Sequence, residues 1–224
     1  MEHLEQLIPL AAGIMISPLP IAAVIAILLS PRAKVNGFAY VGAFLIVCFL
    51  FTLVAALTTK GAGAGKSTGD EVIVLVLGIV LSVGFLVLAV VSWVTRPKPG
   101  VPAKAPGWLA AVDGLTAAKT FGLGIVMAVT NAKNIPLELK AGALIGASDL
   151  GVGGAIGFSA LFALAASLGI LFPTVLASTG SRSITHALTG LKAELIAHNA
   201  IIMTVLFAIL AAVQISHVIP LLAK

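Results

Sequence analysis

Lys133, Glu138 and Lys140 stand close together in a largely apolar stretch, 120–147. A charged side chain at the centre of a lipid-crossing helix costs about 2.5 to 3.5 kcal/mol on the insertion scale, so each needs a polar cavity or a partner. Asn131, Asn134 and Glu138 follow i, i+3, i+7 spacing and would share one face of a continuous helix, but Pro136 interrupts that continuity. We expect Lys133 and Glu138 to form a charge-compensated pair, or to be coupling groups at a substrate cavity, with Lys140 a further candidate for ion coupling. The competing reading is that one or both snorkel to an interface along their apolar stems.

A second cluster lies near the start of the chain, at Ser17-Pro18-Leu19-Pro20. Pro18 and Pro20 cannot donate to the carbonyls of Ile14 and Ile16, and Pro136 cannot donate to that of Ala132. Acceptors freed inside a bilayer must find protein, water or a ligand. Such broken helices often frame a binding site, where half-helix N-termini favour anions and open carbonyls favour cations. The plainer reading is a packing kink relieved by Ser17 and neighbouring helices. Ser17, Pro18, Pro20, Asn131, Lys133, Asn134, Pro136 and Glu138 are therefore the candidate substrate-binding residues. Further along, Glu194 and His198 are four apart, with Asn199 beside them, so they would share a helix face. A histidine titrating near neutrality can relay a proton, and an interfacial hydrogen-bonded pair is the alternative.

Two patterns mislead. The segment 61–67 resembles a phosphate-binding loop, but that motif needs a glycine at position 60, which is Lys60, and no strand precedes it. Gly153 and Gly157 have the small-xxx-small spacing of close helix packing in a chain where glycine is frequent. With Cys48 the only cysteine, an internal disulfide and a CxxC redox pair are excluded. No metal-ligand spacing and no nucleophile with a base partner stands out, so we expect neither an enzyme nor a cofactor.

These residues sit on elements that composition defines. Hydrophobic residues make up 60% of the chain and charged residues 9%, with mean hydropathy +1.18, whereas soluble domains carry about a quarter charged residues. Apolar runs near the roughly 20 residues that cross a hydrocarbon core predict an all-α integral membrane protein with spans at 7–29, 37–57, 72–94, 120–147, 151–176 and 193–213. Glu2 and Glu5 argue against a basic signal peptide. Arg32, Lys34, Arg96, Lys98, Lys104, Lys119, Arg182 and Lys192 fall on one side, and Lys60, Lys66 and Lys224 on the other. The richer side should be cytoplasmic, leaving both termini outside and the protein in the cytoplasmic membrane. The formal charge of +5 is spread over separate loops, so it reads as topology, with no nucleic-acid partner.

Six spans with an odd number in each half predict two inverted three-helix repeats, 1–95 and 120–224, joined by a Pro/Lys-rich linker at 96–119, with helices one and four broken mid-membrane. The internal match is weak: Gly13-Ile14 precedes one break and Gly124-Ile125 the other.

The stretches LIPLAAGIMISPLPIAAVIAILLSP (7–31), WLAAVDGLTAAKTFGLGIVMAVTNAKNIP (108–136) and AELIAHNAIIM around His198 together resemble the peptidoglycolipid addressing protein family, labelled GAP or Sap, of the lysine exporter (LysE) superfamily. The resemblance implies six helices in inverted repeats and a role, chiefly in actinobacteria, in moving lipids, glycolipids or other amphiphiles toward the cell surface. By that resemblance Ser17, Pro18 and Pro20 match the first-span motif, Asn131, Lys133 and Asn134 the fourth, and His198-Asn199 the sixth. The family usually has proline where Ala132 stands, and Pro136 would move the break by about one turn. The expected function is a secondary carrier of an amphiphile or small polar solute; the alternatives are export of amino acids or metal cations, and a membrane scaffold for lipid biosynthesis or secretion. Expected partners are membrane lipids, the transported solute and a second copy of the chain.

Overall fold

The computed structural model describes residues 4–61, 68–97, 112, 114–131, 133–148 and 150–222. The glycine-rich stretch 62–67, most of the expected linker, and Ala132 lie outside them. Among the described residues every regular element is helical: a 3₁₀ turn Leu4–Gln6, α1 (Leu7–Met15), α2 (Pro18–Leu28), α3 (Ala33–Gly61), α4 (Thr68–Val94), α5 (Ala117–Thr130), α6 (Asn134–Ala147), α7 (Val152–Ala177), α8 (Arg182–Ala197) and α9 (Asn199–Leu222).

The sorting of side chains is that of a membrane protein. Ile8, Val54, Val80, Val94, Leu161 and Phe172 are turned outward, while Lys133, Asn134, Glu138, Lys140 and Gln214 are buried. Apolar faces need no burial when the surroundings are lipid, and charges in lipid must turn inward. By length and composition three helices can cross a membrane: Ala33–Thr59, Val152–Ala177 and Asn199–Ile219. A fourth span is counted if the pair Leu4–Met15 and Pro18–Leu28, bent by 55°, crosses as one. Gly78–Val94 and Ala117–Thr130 are shorter apolar helices.

The legs run between two ends of the bundle. At one end Leu4 of the 3₁₀ turn and Leu7 of α1 meet the end of α3 (Ala56), the end of α6 (Ile145) and the start of α7 (Ala155, Phe158). At the other, residues 31–36, which follow α2 and open α3, line a cavity with Ala117 of α5 and with Ala177, Ser178 and Gly180 at the end of α7 and just beyond it. Helix α3 therefore runs parallel to α5 and α6. Glycines set that contact: a Cβ on Gly124 would lie 2.6 Å from the Tyr40 carbonyl, and one on Gly142 or Gly146 would strike the Thr52 or Ala56 carbonyl. Helices α4 and α9 are antiparallel, with Gly78 against Val218 and Phe85 stacked on Phe207 at 6.1 Å.

The expected sixth span is corrected. The chain turns at His198 (φ −106°, ψ 9°), so 193–197 closes the less apolar α8 and the long apolar helix starts at Asn199.

Candidate functional site

Two helix interruptions meet in the interior. The first lies between Met15 and Pro18, where Ile16 leaves helical geometry (φ −87°, ψ 72°) and Ser17 becomes the extended N-cap of α2. Pro18 and Pro20 then occupy the first turn of α2, where an amide has no intrahelical acceptor, so their missing N–H groups cost nothing. The second falls at 131–133, with Asn131 extended (φ −75°, ψ 102°) and Lys133 capping α6. Pro136 occupies the third position of α6, as Pro20 does in α2. The break thus stays at the Asn131–Lys133 position despite Ala132, and Pro136 does not move it by a turn. Aligning the caps Ser17 and Lys133 puts Pro20 on Pro136 but takes Gly13 off Gly124, so the glycine-isoleucine match does not mark equivalent positions.

Lys133 joins the breaks. Its side chain is fully buried, and Nζ donates to the Gly13 carbonyl and, at 2.7 Å, to Ser17 Oγ. A helix C-terminus leaves four carbonyls without intrahelical partners. In α1, Ala12 O accepts from Ile16 N at 3.0 Å, Gly13 O from Lys133, and Ile14 O from Ser17 Oγ at 2.5 Å, while Met15 O packs against Gly169 of α7. The ammonium also faces the negative end of the α1 dipole. Gly13 also lets α9 and α6 close on α1, because a Cβ there would meet the Leu210 and Leu137 side chains at 2.9 and 3.1 Å.

The remaining charges are arranged otherwise than as one ion pair. Glu138 is fully buried on α6 beside the Cys48 thiol of α3, with Lys133 in electrostatic reach. Neither Glu138 oxygen has a hydrogen bond of ordinary geometry among the described residues, and no ion pair joins it to Lys133. Lys133 prefers Gly13 and Ser17 because it projects from the α6 cap toward α1, whereas Glu138 faces α3. Lys140, 5% exposed, donates to Gln214 Oε1 of α9. Asn134 Nδ2 donates to Ala128 O at 3.3 Å, bridging its own break, and its Oδ1 has no partner among the described residues. Asn131 is half-buried.

Glu194 and His198 do not join this interior. They approach to 3.1 Å at the α8–α9 junction, with side chains 72% and 53% exposed, and Asn199 begins α9. Beside them Asn199 Oδ1 is buried without a partner among the described residues, but the pair itself is exposed, so a hydrogen-bonded pair at the bundle surface is the reading the geometry favours. Sequence reasoning missed Gly13, Cys48, Gln214 and Tyr40, whose hydroxyl donates to the Pro20 carbonyl at 3.2 Å. Gln214 and Tyr40 are polar side chains within apolar stretches, a signal present in the sequence.

The architecture defines a class: an all-helical membrane protein with two interrupted helices tied together by a buried lysine. The chain belongs to the family described as Sap, sulfolipid-1-addressing protein, whose match covers residues 7–219. No curated protein and no solved structure matches it.

Proposed function

We propose that this chain is a secondary membrane carrier of the LysE type that exports or flips an amphiphile of the sulfolipid or glycolipid kind across the cytoplasmic membrane. The observation that carries the reading is Lys133 bridging both interruptions, through the Gly13 carbonyl and the Ser17 hydroxyl. A cation held by carbonyl and hydroxyl oxygens can exchange those partners for a substrate headgroup without being left bare, which is what a gate between two half-spans needs. Glu138, close by and beside the Cys48 thiol with no hydrogen bond of ordinary geometry among the described residues, is the candidate coupling group, with a proton as the driving ion.

Helix pairing supports the six-span inverted repeat. Under an exchange of the halves, α1 and α2 correspond to α5 and α6, α3 to α7, and α4 to α9. The contact of α1 with α7 then maps onto that of α3 with α5, that of α2 with α7 onto that of α3 with α6, and that of α2 with α3 onto that of α6 with α7, while α4 with α9 and α3 with α7 map onto themselves. All of these contacts are present. Membership in a sulfolipid-addressing family supports the substrate class.

A scaffold that transports nothing is the second reading, favoured by the complete enclosure of Lys133 and Glu138. Reconstitution in vesicles with a labelled anionic glycolipid separates the two. The carrier reading expects Lys133→Met and Glu138→Gln to abolish headgroup translocation while both variants assemble normally. Wild-type-like translocation in both variants, or none in the wild type, would sink it.

A further inference from the structure

Away from the junction, a cavity of about 680 Å³ opens at the end of the bundle where α2 stops, α3 and α5 begin and α7 ends. Its described ionisable lining residues, Arg32 and Lys34, are both cationic. Lys34 and Ala117 lie in the first turns of α3 and α5, where their amides have no intrahelical acceptor and the helix dipoles favour negative charge, while the Ala33 amide already donates to Ser30 O.

A second observation is independent of charge. Asn36, which also lines the cavity, is 1% exposed; its Nδ2 donates to the Leu115 carbonyl at 2.8 Å, but its Oδ1 has no partner among the described residues. Buried polar atoms are nearly always satisfied, and a carbonyl oxygen wants a donor. A bare oxyanion cannot supply one, whereas a hydroxyl can. The cavity thus combines a cationic rim with a buried acceptor.

We propose that this cavity binds the headgroup of an anionic, hydroxylated lipid. The sulfate or phosphate oxygens sit on Arg32, Lys34 and the helix amides, and a headgroup hydroxyl donates to Asn36 Oδ1. This rests on the amphiphile-carrier reading and deepens it by locating where the headgroup is loaded. Asn36 and Tyr40 are four apart on α3, and Tyr40 holds the Pro20 carbonyl at the first break. A headgroup docked here lies at the end of α2, about 16 Å along that helix from the break at its start.

Native mass spectrometry of the detergent-solubilised full chain, titrated with phosphatidylglycerol, phosphatidic acid or phosphatidylcholine, tests this. Phosphatidylglycerol, which carries both a phosphate and free hydroxyls, is expected to bind best. The double variant R32Q/K34Q should bind it about thirty-fold more weakly, from two cations near a membrane surface. Arg96→Gln is the control, because that guanidinium donates to Trp93 O and stacks 3.7 Å over the Trp93 ring. Unchanged binding in R32Q/K34Q, or an equal loss in Arg96→Gln, would overturn the site. Equal binding of phosphatidic acid would remove the hydroxyl contact. Displacement of the lipid by equimolar inorganic sulfate would assign the cations to a soluble oxyanion and overturn the lipid. Binding is read here without transport, so a chain that binds but moves nothing defeats the carrier and leaves this site standing.

Discussion

At the scale of single residues, Lys133 has two jobs that pull its substitutions in different directions. Its ammonium satisfies the C-terminus of α1, and removing it leaves Gly13 O and Ser17 Oγ without their donor. Losing a donor to a buried acceptor costs about 1 to 3 kcal/mol, partly offset by relief from burying a charge. We expect Lys133→Met to unfold earlier than wild type in detergent. Ser17→Ala should be milder, because Gly13 O keeps its partner. A double-mutant cycle between the two should show a coupling of about 1 kcal/mol or more, as for residues that share a hydrogen bond. Additive losses would mean that the lysine ties nothing across the breaks. Glu138→Gln is the contrasting case. With no hydrogen bond of ordinary geometry to lose among the described residues, it should unfold within about 1 kcal/mol of wild type.

At the scale of elements, glycine positions govern how closely helices approach. Gly122 and Gly124 lie on α5, yet a Cβ on Gly122 meets nothing within 4 Å, while one on Gly124 lies 2.6 Å from the Tyr40 carbonyl. Gly122→Ala should therefore stabilise slightly, by roughly 0.5–1 kcal/mol from helix propensity. Gly124→Ala should destabilise by about 1–3 kcal/mol, because backbone must move. Thermal unfolding of the two purified variants reads the difference, and equal midpoints would show that α3 and α5 are not in close contact. The same elements show what sequence could convey. The breaks were legible because proline chemistry is local: Pro18 and Pro20 exclude a continuous helix wherever the chain goes. Lys133 and Glu138 were legible as buried groups, since charges in an apolar stretch have few places to go. Their partners were not, because an i, i+5 spacing on one helix says nothing about which neighbours it will meet. Gly13 and Cys48 became partners only through the packing of α1 and α3 on α6. The turn at His198 was hidden for the converse reason: 193–213 holds no proline or glycine to announce it.

At the scale of the whole molecule, the directions of the legs limit how the chain can thread a bilayer. Residues 31–36 and 177–180 meet at one end of the bundle, and Leu4, Ala56, Ile145 and Ala155 at the other. Helix α3 therefore ends opposite the place where α5 begins, and α4 must carry the chain across between them. Antiparallel pairing of α9 with α4 then returns the chain from the end of α7. On the positive-inside rule we propose that the end holding Arg32 and Lys34 faces the cytoplasm. Single cysteines test this threading, because Cys48 is buried and stays silent toward a membrane-impermeant maleimide. Arg32→Cys and Thr179→Cys should label only after cells are permeabilised, and Gly151→Cys should label in intact cells. If Arg32→Cys and Gly151→Cys reacted from the same side, one of the legs between them, α3, α4 or α5 with α6, would fail to cross. The two breaks would then no longer face each other from oppositely inserted halves, and Lys133 would be the cap of a kinked helix pair with no gate to hold.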